Sequence, residues 1–295
     1  MGKKPGRKRL MSFAKATAAG FAAIRSACSP PLSFWGCLLN LLVPRSAFVA
    51  HRGLSFGDNL RQRLDIYVPR SLKAPAPLLL FFYGGAWQAG RRGDYLALGH
   101  VFAGAGIATA VADYRLYPQV KYPAFVEDAA AALAWLRRQG ASYGIDPERI
   151  FVGGHSAGAY IAVMLASEPV FLTSHGGCLS WIRGVIGIAG PYDFLPLEDR
   201  AYIDMFHGRE NRDVMPVHHV TGPRPPMLLI TGDRDRTVSP RNTQSMASCL
   251  RSRGSAVREI HYPRIGHVGI LLSLLPGFRR LTPLRQDMLD FIRMT

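Results

Sequence analysis

Short runs with almost no polar residue recur along this 295-residue chain, at 77–82, 106–112, 150–153, 184–189 and 226–231. A strand with one wet face alternates apolar and polar residues, so unbroken runs belong to strands covered on both faces. Residues 257–262 add a last strand. Leu64, Ile66 and Val68 alternate with Arg63, Asp65 and Tyr67, the pattern of a half-buried strand. Helical stretches lie between the runs. Residues 122–139 carry Glu127 and Asp128 in the first turns and Arg137 and Arg138 near the end, the order the helix dipole favours, and Gly140 stops them. Residues 281–294 form a terminal helix, and Asp146-Pro-Glu-Arg149 reads as a turn. Strands that alternate with helices require parallel pairing through right-handed crossovers. The expected architecture is α/β, a mostly parallel doubly wound sheet with helices on both faces. Residues 194–219 are polar and lack a buried-strand pattern. They read as a short insertion after a late strand, building a pocket wall.

Charge divides the chain. The formal net charge is +16, yet residues 1–57 hold nine Lys/Arg and no acid before Asp58. The remainder has 27 basic against 20 acidic residues, or +7. Residues 1–50 are therefore read as a basic arm and residues 51–295 as the domain. The arm alternates basic and apolar stretches, which fits a targeting or membrane-surface segment or a helix packed on the body. Arg25-Ser-Ala-Cys28 resembles a lipobox, with Arg25 where an aliphatic residue is wanted. A cytoplasmic location is expected, with a membrane-associated or exported form through the arm. The basic tip has no interleaved aromatics, which argues against nucleic acid as a partner. Four scattered cysteines without CxxC argue against a disulfide scaffold or a zinc site.

Gly154-His-Ser-Ala-Gly158 matches GxSxG between an apolar strand and an apolar helical stretch, the strand–elbow–helix setting that exposes a nucleophilic serine, Ser156. A second glycine pair, Gly84 and Gly85, follows another buried strand. It lets backbone N–H groups turn into a pocket, and Gly84, Gly85, Ala86 and Ala157 are the candidate oxyanion donors. Serine needs a base to take its proton, and this order of elements places an acid and then a histidine downstream. Of His175, His207, His218, His219, His261 and His267, His267 lies in a late loop after the last strand. His261 falls within the strand pattern, and His218 and His219 lie in the insertion. The loop after 226–231 offers Asp233 and Asp235 as the acid.

Tyr83-Gly-Gly-Ala-Trp87, Asp113-Tyr-Arg-Leu-Tyr-Pro118, Gly154-His-Ser-Ala-Gly158, Gly232-Asp-Arg-Asp235 and Gly266-His267 span residues 83 to 267. In order and spacing they resemble the α/β-hydrolases of the hormone-sensitive-lipase-like and bacterial acetyl/feruloyl esterase group, near the kynurenine formamidase branch. The resemblance implies an α/β-hydrolase fold, Asp235 as the acid, and Asp113 with Arg115 as a buried structural pair. One departure is Tyr83, where the family usually has His; it puts the loop geometry in question more than the chemistry.

The expected function is hydrolysis of carboxylic esters, short to medium in the acyl group, through Ser156, His267 and Asp235. The expected partner is a small-molecule ester; no metal or organic cofactor is required. An arylformamidase-like amide hydrolase is the alternative, and a non-catalytic binding protein of the same fold a third. Trp87, Tyr160 and Phe194, with Tyr95, Tyr117, Tyr202 and Met205, are candidates for the substrate pocket. Asp193 reads as structural or pocket rim.

Overall fold

The computed structural model describes residues 43–72 and 74–295. The targeting reading of the arm lies for the most part outside the described residues. Eight strands form one sheet: β1 (Phe48–Ser55), β2 (Arg63–Pro69), β3 (Ala76–Phe82), β4 (Ala108–Ala112), β5 (Ile145–His155), β6 (Gly184–Ile188), β7 (Met227–Gly232) and β8 (Val257–Tyr262). Their order is β1-β2-β4-β3-β5-β6-β7-β8. Pairing is parallel from β4 to β8 and antiparallel at β1–β2 and β2–β4. The helices are α1 (Leu96–Ala103), α2 (Ala124–Gln139), α3 (Ala157–Ser167), α4 (Val170–Thr173), α5 (Arg200–Met205), α6 (Arg241–Ser252), α7 (His267–Leu272) and α8 (Leu284–Met294). Nearly every residue of β3 to β7 is buried, so helices and loops cover both faces of the sheet.

Several expectations shift. The domain begins before residue 51, because β1 starts at Phe48 and both Val43 and Phe48 lie in the core. β2 is buried along both faces: Asp65 is 4% exposed and Tyr67 1%. Asp65 tolerates this because it accepts from the Gly53 N–H and from Arg92 Nε, each at 2.8 Å. The turn expected at 146–149 is a bulge inside β5. Ile145 pairs with Ala76 and Ile150 with Leu78, so four residues of β5 stand opposite Pro77. The helices expected from 122 and 281 start later, at Ala124 and Leu284. Pro123 and Pro283 precede them, and a residue before proline is kept out of helical geometry.

Asp113 and Arg115 do not pair; each has a different partner. Arg115 turns to Asp128 of α2, which accepts from its N–H at 2.7 Å and from Nε at 2.9 Å, and also from Gln62 Nε2 at 2.8 Å. Asp113 accepts from the Tyr83 hydroxyl and the Arg92 N–H, both at 2.7 Å, and pairs with the Arg92 guanidinium. Removing one partner of a buried ion pair leaves the other charge uncompensated, at a cost of about 3 kcal/mol or more. Asp128 is 1% exposed. Asp128→Ala is therefore expected to lower the urea midpoint by the equivalent of about 3 kcal/mol with an unchanged m-value; urea unfolding of the two proteins measures it.

Candidate active site

Ser156 stands alone between the last residue of β5 and the first of α3, at φ 56° and ψ −122°. A non-glycine residue held there costs about 1–3 kcal/mol, so the surroundings must fix it. Its N–H donates to the Ile188 carbonyl at the end of β6 (2.9 Å), and its carbonyl accepts from the Tyr160 N–H (3.0 Å). The two motif glycines make the turn possible. A Cβ on Gly158 would stand 2.0 Å from the Phe82 carbonyl oxygen, and one on Gly154 would stand 2.3 Å from the Gly158 backbone. The first turn of α3 thus rests on the end of β3 with no side chain between them. Ser156 is half-buried, and among the described residues its hydroxyl has no hydrogen-bond partner.

The loop after β3 faces it. A Cβ on Gly84 would lie 3.0 Å from Ser156 Cβ, so the loop backbone passes directly over the serine. Gly85, Ala86 and Trp87 all have positive φ, at 139°, 54° and 58°. The loop closes through the Gln88 and Ala89 N–H groups, which donate to the Gly85 carbonyl (2.9 and 3.0 Å). Among the described residues the N–H groups of Gly85, Ala86 and Ala157 have no backbone acceptor.

Tyr83 anchors this loop. Its ring stacks between Tyr95 and Tyr114, with centroids at 5.7 and 4.9 Å. Burial pushes the pKa of its hydroxyl up, so the group stays a donor, to Asp113. Arg61 adds a staple: Nη2 donates to the Tyr83 hydroxyl (2.7 Å) and to the Gly90 carbonyl (2.9 Å). The side chain that departs from the expected His therefore holds the loop by hydrogen bonds and stacking.

β7 delivers the carboxylate. Asp235, 6% exposed, accepts from the Thr237 and Val238 N–H groups through Oδ1 (2.9 and 2.8 Å). Its Oδ2 lies 2.7 Å from Nδ1 of His267, the first residue of α7. Asp233 is half-exposed and meets His261 at 3.2 Å, while the other nitrogen of His261 meets Glu259 at 2.9 Å. Asp233 and His261 thus form a separate pair. His219 binds Glu168 (2.7 Å), His218 accepts from Arg212 (3.3 Å), and Asp193 accepts from Ser245 (2.6 Å). Among the described residues no group of three or more His, Cys, Asp or Glu gathers to hold a metal.

His155 escaped the reading of the sequence, where it is only the variable position of GxSxG. Its ring packs 4.7 Å from that of His267, and its Nε2–H donates to the His267 carbonyl (3.0 Å). It links the segment carrying His267 to the residue beside Ser156. Burial, and then the neighbouring His267, lower its pKa to about 3, so it is neutral near pH 7.

The pocket candidates divide. Trp87 is 2% exposed and Tyr160 0%, and the Tyr160 hydroxyl donates to the Val214 carbonyl (2.7 Å). Neither offers surface to a ligand. Both are packed inside an aromatic cluster with Tyr202 and Phe206, against which Trp87 makes edge contacts at 6.1 and 5.0 Å. Phe194, half-buried, stacks on Trp87 at 6.4 Å and is the member of the trio with open surface. The 194–219 segment is less polar than expected: Leu197, Tyr202, Met205, Phe206, Val214 and Met215 are buried, and they close this cluster from above.

The BD-FAE family model matches residues 64–250, more than half of the chain. A probable isoprenylcysteine alpha-carbonyl methylesterase of Arabidopsis thaliana is 30% identical over 270 residues, covering 81% of this chain and 57% of its own length. Esterase LipC of Mycobacterium tuberculosis is 30% identical over 257 residues, covering 79% and 62%. The chain thus spans about three-fifths of the length of these curated relatives. Among solved structures, a truncated carbohydrate esterase from gut microbiota aligns with a TM-score of 0.75 at 22% identity, covering 85% of this chain and 98% of its own. Esterase 2 of Thermogutta terrifontis aligns with a TM-score of 0.69 at 23% identity, covering 84% and 96%. The fold is that of the α/β-hydrolases.

A neutral buried histidine has a pH signature. Below its unfolded value of about 6.5 the unfolded chain takes up a proton that the folded one refuses until about pH 3. This contribution is complete above pH 6.5 and is lost as pH falls toward 3, by at most about 1.4 kcal/mol per pH unit. His155→Gln keeps a donor but does not titrate. Between pH 7 and pH 4.5 it is expected to lose about 2 kcal/mol less stability than the parent protein, as measured by urea unfolding at both pH values.

Proposed function

Since the chain belongs to the BD-FAE family, we propose that it is a serine hydrolase that cleaves carboxylic esters. One observation carries this reading. The Asp235–His267 pair, at 2.7 Å, is tied through His155 to a strained Ser156 that lies under a loop whose Gly85 and Ala86 N–H groups have no backbone acceptor among the described residues. The esterase names of the curated relatives support the same chemistry.

In this mechanism His267 takes the proton of Ser156 as its oxygen attacks the ester carbonyl. Asp235 holds the imidazole by Nδ1, so Nε2 is the basic nitrogen, and it stabilises the imidazolium that forms. The N–H groups of Ala157 and of Gly85 or Ala86 meet the oxyanion; each such donor is worth about 3–4 kcal/mol in acyl transfer. His267 then protonates the leaving alcohol. Water, activated by the same base, releases the acid from the acyl-enzyme. His155 acts through His267 and is a positioning residue.

The acyl side is read as small. The aromatic cluster around Trp87 is packed shut, and Phe194 alone of the trio borders open space. Short acyl esters fit such a site better than long ones. The methylesterase name of the Arabidopsis relative belongs to that protein; here it supports a small group on one side of the ester bond.

Hydrolysis of p-nitrophenyl esters from acetyl to palmitoyl is expected to be fastest at the short end. Ser156→Ala and His267→Ala are each expected to lower kcat by about a million-fold and Asp235→Asn by about ten-thousand-fold. Retention of parental turnover by Ser156→Ala would overturn the reading, and turnover of N-formylanilide with none of any ester would replace it with amide chemistry. Phe194→Ala is expected to raise kcat/KM for hexanoyl relative to acetyl by about tenfold, read from the same ester series.

A further inference from the structure

The surface beyond His267 carries features that ester hydrolysis does not use. Val268, next to His267, is 57% exposed. α7 lasts only six residues, about 9 Å, before the chain enters a ledge. There Gly277, Phe278, Arg279, Arg280 and Leu281 are exposed in succession, with Phe278 at 44% and Leu281 at 48%. Single exposed apolar residues are ordinary, but two of them flanking adjacent arginines make an amphipathic patch. Arg285, in the first turn of α8, adds a second observation. Its Nε is buried and, among the described residues, has no hydrogen-bond partner. Burial lowers its pKa, and the positive charges of Arg279 and Arg293 lower it further. Among the described residues, Arg279, Arg280, Arg285 and Arg293 form no ion pair.

The nearby acids are taken elsewhere, Asp287 by Arg258 and Tyr262 and Asp290 by Gln286, so like charges crowded without a carboxylate partner call for an anionic occupant. The basic arm cannot supply one, since residues 1–57 contain no Asp or Glu. A second copy, at net charge +16, is repelled. A polyanion without apolar groups would satisfy the arginines and leave Phe278 and Leu281 in water.

We propose that the ledge of residues 277–281, with Arg285, docks on an anionic lipid surface: Phe278 and Leu281 enter the headgroup–acyl boundary and the arginines meet the lipid phosphates. Among the described residues no helix is long and apolar enough to cross a membrane, so the contact is peripheral.

The test is co-sedimentation of the full chain with vesicles of phosphatidylcholine alone and with 30% phosphatidylglycerol, at about 0.1 M salt, where surface charge is screened within ~10 Å. Each basic residue near such a surface contributes about 1 kcal/mol, about fivefold in partition. The parent protein is expected to bind the anionic vesicles and not the neutral ones. Arg279→Glu/Arg280→Glu is expected to lower the partition coefficient by about tenfold or more, and Phe278→Ser/Leu281→Ser also to lower it, both with an unchanged melting temperature. Parental partition in both variants would mean that the arm alone binds, and would overturn the proposal. So would loss in the arginine variant with none in the apolar variant, which would mark a purely electrostatic contact. Vesicle binding is read without substrate, so its outcome is independent of the ester chemistry.

Discussion

The contact between the first turn of α3 and the end of β3 sets the geometry of everything above the sheet. No side chain separates them, because Gly158 lies against the Phe82 carbonyl and Gly154 against Gly158. Two chain segments more than 70 residues apart are thereby pressed together at their ends. The serine turn and the Gly84–Gly85 turn leave the sheet at the same height, and the backbone of one passes over the side chain of the other. Even a methyl group at Gly158 would part them. Interiors packed to crystal density do not absorb such a displacement.

Charge does the rest of the positioning. Asp113 sits at the end of β4 and reaches both ends of the Gly84–Gly85 loop, the Tyr83 hydroxyl at one end and the Arg92 N–H at the other. Arg61 repeats the arrangement from the opposite side through Tyr83 and Gly90. A histidine at position 83 would add a titrating group to this network. The tyrosine, buried and stacked, stays neutral well beyond neutral pH. The loop is therefore anchored at this end by a hydroxyl that remains a donor.

Much of this was legible in the residues. The apolar runs became β3 to β7 because a strand buried on both faces has no polar side to show. The serine turn was legible because its glycines are demanded by contacts within a few residues. The Asp235–His267 pair followed from chain order and from the resemblance. What escaped depends on contacts remote in sequence. β1 carries His51 and Arg52 and shifts register between His51 and Leu54, which destroys a period of two. The burial of Asp65 depends on Arg92, 27 residues on. His155 gains its role from a carbonyl 112 residues away. Trp87 and Tyr160 looked like pocket lining because nothing local reveals that the segment after β6 folds down and seals them in.

The double attachment of the loop to Asp113 makes that part of the molecule length-locked. Eight residues separate Tyr83 from Arg92, and adding or deleting one would pull an end off its carboxylate. The segment between β6 and β7 is under no such restriction. It is fastened to the body by Tyr160 to Val214, Lys121 to Asp204 and Glu168 to His219, and to itself by the Leu197 N–H to the Arg209 carbonyl and the Val217 N–H to the Tyr192 carbonyl, none of which holds the loop over the serine. Insertions there lengthen a wall without disturbing the loop over the serine. On this frame, what the site admits is adjustable through that wall, while the number of residues in the loop over the serine is set by its two attachments to Asp113.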